Sequence, residues 1–335
     1  MPQETKNETI TIKKIIFLIV IASILVSCGK NNDEKQNWEI IHEKLPAALT
    51  AVWGRNSNDI WAVGGNTVDQ TGSLILHFNG KEWERVYSNS DSDLWWIFGF
   101  KTGPIFFGGS KGLILKYSEG QFETMETPGD ATVFGIWGMS ENDLWAVGGN
   151  IINGAFAWRY DGEKWENAER FPAGLSRTQS LFKVWGENAE KVWLVGTNGK
   201  TIFFNGKDFI GQATKTQYPL FTIHGNNNFH TTIVGGLVKG VILENIDDSW
   251  IEKSPKNTPH LMGIFRRENQ AYAVGINTSI LRQIDNEQWE KINTGIKSKK
   301  GLHSVWIDEK GGVWTVGGDV LAPPLTEGIM LYRSP

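Results

Sequence analysis

The chain has 335 residues, 40% hydrophobic and 12% aromatic, with 16 tryptophans, 38 glycines, a single cysteine and a formal net charge of −4. A slightly acidic chain lacks the basic footprint of a nucleic-acid binder, and one cysteine excludes an internal disulfide. The length exceeds the usual size of one globular core, so it calls for either several domains or a repeat architecture.

At the N terminus, Lys13 and Lys14 precede an apolar run from Ile15 to Val26. That run is too short to span a bilayer as a stable helix and suits the core of a signal peptide. Leu25-Val26-Ser27-Cys28 follows. The tetrapeptide resembles the bacterial lipobox, whose cysteine is acylated and becomes the mature N terminus. The resemblance implies a signal peptide over residues 1–27, a lipid on Cys28, and the membrane as a partner through that lipid. Gly29, not aspartate, comes next, which by the same resemblance implies the outer membrane. Asp33 and Glu34 resemble the surface-export signal of some Bacteroidota lipoproteins. Residues 28–36 are polar and without apolar pattern, which predicts a tether.

Residues 37–335 read as one domain of repeats. Val52–Gly65 (VWGRNSNDIWAVGG) and Ile136–Gly149 (IWGMSENDLWAVGG) are two copies of one unit. Its second glycine recurs at Gly64, Gly108, Gly148, Gly196, Gly235, Gly275 and Gly317, with a period of roughly 40–48 residues, as in propeller blades. A closing aromatic recurs at Trp83, Phe122, Trp165, Phe209, Trp250 and Trp289; the seventh is Trp38, at the opposite end of the chain. Each unit holds four short runs. The first, such as Leu181–Trp185, is apolar on both faces and the second, such as Ile60–Val63, is nearly continuous, as strands buried on both faces are. The last two flank Asn79-Gly80, Asp161-Gly162 or Asn205-Gly206, a hairpin signal attributed to two central residues of positive φ. The prediction is an all-β, seven-bladed propeller of four-stranded antiparallel blades. Trp38–His42 should close it by pairing with Ile329–Tyr332, because an open ring leaves two unpaired sheet edges.

The pattern W-G-x-x-x-x-D-x-W-A-V-G…I-L…G-x-x-W resembles the tryptophan-rich propeller repeats of bacterial surface lipoproteins. It is more distantly similar to the propellers of photosystem II assembly factors and of sialidases. The full sialidase Asp box is absent. The resemblance implies architecture and leaves function open.

Tryptophans at two fixed positions, such as Trp53 and Trp61, are expected to fill the wedges between blades. Asp59 and Asp143 are expected to bond turn amides, and His224, at the Trp53 position of its unit, to pack in the core. The six histidines show no metal-ligand spacing, and no motif implies a cofactor or a catalytic residue. The second-to-third and fourth-to-first connections share one face and vary in length, as in Asn66–Gly72, Asn167–Ser180 and Asp319–Gly328; variable loops on a rigid scaffold are where binding resides. Lysines cluster there, among them Lys297, Lys299 and Lys300; Asp69, Asp91, Asp93 and Asp130 oppose them. One residue per unit, four before its first glycine, lies near the channel mouth: Thr50, Trp95, Phe134, Phe182, Phe221, Met262 and His303. These either complete the core or form a collar that stacks a sugar or grips a peptide side chain. The favoured function is a lipid-anchored, non-catalytic envelope module that binds a protein, peptide or glycan. The alternative is a carbohydrate-active enzyme with paired carboxylates on the loop-rich face.

Overall fold

Glycine at the end of each second strand sets how closely the chain can enter a sheet. A Cβ on Gly64 would lie 2.2 Å from the Ala48 carbonyl oxygen, and one on Gly235 2.1 Å from that of Pro219. In every blade but the second, the residue at the start of the first strand or just before it lays its carbonyl over this glycine. The next amide then takes it, as Gly65 N–H donates to Ala48 O and Gly236 N–H to Pro219 O. Backbone approach, not a positive φ, therefore demands glycine here.

The computed structural model describes residues 38–335 except 68–70, 89–90, 176–178, 227–229 and 286–287. They form seven four-stranded antiparallel sheets. The first strands of the seven blades, in chain order, are Leu49–Asn56, Leu94–Gly99, Thr132–Ser140, Leu181–Asn188, Leu220–Gly225, Leu261–Arg267 and Gly301–Ile307. Each of the first six sheets runs outward in sequence order, and the seventh takes its outer strand from the other end of the chain. Trp38–Leu45 pairs antiparallel with Thr326–Arg333, from Trp38 opposite Arg333 to Leu45 opposite Gly328. The ring is thus closed by the N-terminal strand, as expected. The expected signal peptide and tether, with Cys28, and Asp69 lie outside the described residues. Among the described residues no helix is long and apolar enough to cross a membrane.

The core is seven apolar wedges, one between each pair of neighbouring blades. Tryptophan fills many of them, as the fixed repeat positions predict: Trp61 and Trp145 are almost wholly buried. The Trp-Gly dipeptide is an interlock between blades. The tip of the Trp53 ring lies where a Cβ on Gly99 of the next blade would be, 2.6 Å away; Trp137 meets Gly186 at 2.6 Å and Trp306 meets Gly54 at 2.7 Å. A tryptophan in one blade therefore requires glycine in the next. Where the next blade carries Arg266 or Ile307 at that position, the preceding blade carries His224 or Phe265 in place of tryptophan. The two columns exchange volume, which keeps the interface at core density.

The hairpins between third and fourth strands differ from expectation. Gly80, Gly162 and Gly206 have φ of +89°, +100° and +89°, whereas Asn79, Asp161 and Asn205 do not adopt positive φ. Asn79 N–H donates to Glu82 O, so Gly80-Lys81 is the two-residue loop, with glycine at its first position as in a type II′ turn. Asn79 flanks the loop and its Oδ1 accepts the amides of Lys81 and Glu82; Asp161 and Asn205 do the same in their blades. The side chain is chosen for this cap and not for a left-handed backbone.

Asp59 and Asp143 also act otherwise than expected. Asp59 Oδ1 accepts the indole N–H of Trp61 at 2.8 Å and lies 2.9 Å from His77 Nε2, and its Oδ2 accepts from Arg55 at 2.9 Å. His77 stacks on Trp61. In the third blade Asp143 pairs with Arg159, whose guanidinium lies 4.3 Å from the Trp145 ring centre. These carboxylates fix a wedge tryptophan and the cation or imidazole above it; among the described residues they bond no turn amide. Burial alone would raise the Asp59 pKa, but the hydrogen bonds from His77, Arg55 and Trp61 outweigh it and hold the carboxyl at about 2.

Candidate functional site

All seven first strands lose register at one shared place, and those of the first, third and fourth blades slip a second time near their far end. Leu49 pairs with Gly64 and Ala51 with Val63, leaving Thr50 as the extra residue of a β-bulge. Trp95, Phe134, Phe182, Phe221, Met262 and His303 are the extra residues in the other six blades. A bulge frees one residue from the ladder and re-aims its side chain. Here it turns the collar residues toward the channel mouth on the loop-rich face.

Most of these side chains meet as a chain of rings. His303 and Trp95 lie 6.0 Å apart between centres, Trp95 and Phe134 5.4 Å, Phe134 and Phe182 5.5 Å, and Phe182 and Phe221 5.1 Å. His260, just before the sixth blade, extends the chain by stacking on Phe221 at 5.0 Å. Trp95, Phe134, Phe182, Phe221 and His303 are each half-buried. Thr50 and Met262 stand apart. Thr50 is fully buried and its hydroxyl donates to Leu94 O at 2.6 Å; Met262 is buried with Ala48, Val320 and Leu325, a cluster that Trp95 also touches. The 319–326 connection therefore covers one side of the mouth.

Beneath the collar, the inner edges of the first strands carry carbonyls that no fifth strand can pair, and side chains from adjacent blades supply the donors. Trp96 Nε1–H donates to Ile136 O at 2.9 Å, Thr222 Oγ1–H to Met262 O at 2.5 Å, and His303 Nδ1 lies 2.5 Å from Thr50 O. Because a carbonyl only accepts, the His303 proton sits on Nδ1. Burial, with the nearby Lys183 charge, depresses its pKa to about 4 and keeps the ring neutral at pH 7.

Lys183 escaped the sequence reading. It follows Phe182 and is 4% exposed. Its Nζ donates to Phe134 O at 2.6 Å and lies 4.1 Å from the Trp96 ring centre. No carboxylate pairs with it among the described residues. Burial lowers its pKa to about 7. The signal was available in the column after the collar, where the other blades carry Ala51, Trp96, Gly135, Thr222, Gly263 and Ser304.

The three lysines of the loop-rich face divide. Lys297 and Lys299 are exposed. Lys300 is half-buried and its Nζ bridges Asp319 (2.8 Å) and Glu327, clamping both ends of the 319–326 connection. Asp319 and Glu327 are thus held together by an ammonium group, an arrangement that neutralises two carboxylates instead of setting one as an acid and the other as a base. Among the described residues no cluster of three or more His, Cys, Asp and Glu side chains could hold a metal.

No family model matches the chain, and no curated protein matches it. Solved propellers do. YCF48 bound to a D1 peptide aligns with a TM-score of 0.67 at 14% identity, covering 89% of this chain and 95% of that one. The WD40 repeats of RRP9 align at 0.68 and 8% identity, covering 89% and 98%. An extracellular domain assigned to a hybrid two-component system of B. thetaiotaomicron aligns at 0.64 and 15% identity, covering 88% of this chain and 39% of that one. At such identities the likeness is one of fold: the chain is a seven-bladed β-propeller built like these proteins.

Proposed function

We propose that the chain is a lipid-anchored module of the cell envelope that binds a protein or peptide without catalysis, using the collar on its loop-rich face. The observation that carries this reading is the run of half-buried rings from His303 to Phe221, each mounted on a bulge of a rigid strand. Such rings present apolar area with little conformational freedom left to lose on binding. Lys297 and Lys299 add exposed positive charge beside them and favour a segment that pairs an apolar side chain with an acidic one. The solved complex of YCF48 with a D1 peptide supports a peptide as the ligand class, and the propeller in an extracellular B. thetaiotaomicron domain supports an envelope setting. Leu25-Val26-Ser27-Cys28 supplies the anchor, with residues 1–27 removed as signal peptide and 28–36 as tether.

The test is capture of envelope proteins by the full chain from its own cells, followed by peptide mapping. Trp95→Ala and Phe182→Ala should each weaken capture about tenfold or more, as hot-spot aromatics do. Lys297→Glu with Lys299→Glu should weaken it less, and only at low salt. Capture that survives both ring truncations refutes the collar as the site. Mass spectrometry of the mature N terminus should find acylated Cys28; an unmodified end elsewhere refutes the anchor.

A further inference from the structure

The short-turn face lies opposite the collar. A pocket of about 770 Å³ lies there, within the size range of small-ligand sites. It draws on four blades: Lys101 from the second, Trp185 and Glu187 from the fourth, His224 and Asn226 from the fifth, and Phe265, Arg267, Glu268 and Asn269 from the sixth. One wall is an arc of rings, with Trp185 and His224 centres 6.1 Å apart and His224 and Phe265 4.2 Å apart. All three are half-buried. His224 Nδ1 accepts the Arg266 amide at 3.1 Å. An amide only donates, so the His224 proton sits on Nε2, and that N–H meets no acceptor among the described residues. Arg267 gives one N–H to Ile307 O at 2.8 Å, and neither Arg267 nor Lys101 meets a carboxylate among the described residues. Glu187 is occupied by Lys191 at 3.3 Å.

We infer that this pocket binds a carboxylated sugar, from one to three rings long. Aromatic walls suit the C–H faces of a pyranose. The mixture of donors (His224 Nε2–H, Arg267) with amide and carboxylate groups (Asn269, Glu268) suits its hydroxyls. The two unpaired cations, Arg267 and Lys101, suit its carboxylate, and the guanidinium can take that group in a bidentate fork. A neutral sugar would leave both cations unanswered, and a flat aromatic acid would leave the amide and hydroxyl-matching groups unused. This inference is independent of the peptide site, which lies at the other mouth.

Isothermal titration of the full-length chain in detergent with trigalacturonate, 3′-sialyllactose and neutral maltotriose tests it. At least one acidic sugar should bind, and maltotriose should bind at least tenfold more weakly. Arg267→Met and Lys101→Met should each weaken the acidic sugar about tenfold, while Arg267→Lys should recover part of the loss. Lys101 is exposed, so its variant reports on binding without a folding question. Trp95→Ala, at the collar, should leave sugar binding unchanged. The inference is overturned if neither acidic sugar binds, if maltotriose binds equally well, or if Lys101→Met and Arg267→Met leave binding intact.

Discussion

At the Trp-Gly column, two interfaces of the ring solve the same packing problem with opposite chemistry. Between the third and fourth blades, Trp137 and Trp145 pack with Leu181, Val184 and Leu194, and the tip of Trp137 lies over Gly186. Between the fifth and sixth blades, His224 and Arg266 replace that tryptophan and glycine. Arg266 is 5% exposed, and its Nη2 donates to both carboxylate oxygens of Glu244, at 2.9 and 2.8 Å. Glu244 also accepts from Thr232 at 2.8 Å and from Trp289 Nε1–H at 3.0 Å, and Gln283 Oε1 accepts from Arg266 at 2.9 Å. The apolar wedge draws on area removed from water. The polar wedge holds only because every charge in it is answered, and buried pairs of this kind contribute little net stability. The repeat therefore tolerates either solution, provided that both columns change together.

The largest expected effect comes from breaking the polar wedge. Glu244→Gln leaves Arg266 buried and unpaired and should cost about 3–5 kcal/mol. Chemical denaturation gives the value. A loss below about 1 kcal/mol would mean that water already reaches the pair. The converse experiment imposes the column rule on an apolar interface. Gly99→Ala sets a methyl against the Trp53 ring and should cost about 1–3 kcal/mol. The three atoms nearest that methyl all belong to the Trp53 ring, so adding Trp53→Phe should restore most of the loss. A double variant no more stable than Gly99→Ala alone would show that the two columns are not coupled.

A pH-dependent effect separates the two buried cations. Arg266 has its carboxylate and Lys183 has none, so Lys183 folds at a cost while it is charged. Its folded pKa of about 7 lies below the unfolded value near 10.4. Between those values the unfolded chain holds a proton that the folded chain lacks, so stability rises with pH across that window. Lys183→Met should flatten the rise between pH 7 and 10, measured by denaturation at each pH. An identical slope in the variant would place the titration elsewhere.

The features legible in the sequence are those that a period reveals. The recurring glycines and closing aromatics count the blades, and Trp38, displaced to the far end, gives the closure. The rest depends on pairs that the sequence does not align. Register slips are invisible in composition, so the bulges that aim Trp95, Phe134 and Phe182 could not be read. Arg266 and Glu244 meet across two blades, and only the joint departure of His224 and Arg266 from their columns hints at it. Asp59 is expected to cap a turn because Asn-Asp is turn-like, yet the indole N–H of Trp61 lies nearer. The short-turn pocket stayed hidden because loop length, the cue used to choose a face, says nothing about which end of the channel its own side chains seal.

The closing sheet also constrains how this protein can be made. Trp38 pairs with Arg333, partners at nearly opposite ends of the chain. During synthesis the N-terminal strand emerges first and must wait for almost the whole chain before it gains a partner. Contacts of such sequence separation slow folding and leave edges open to other chains in the meantime. A polypeptide truncated before the last strand would keep six blades and two raw edges, so quality control of this molecule comes down to whether its two ends have met.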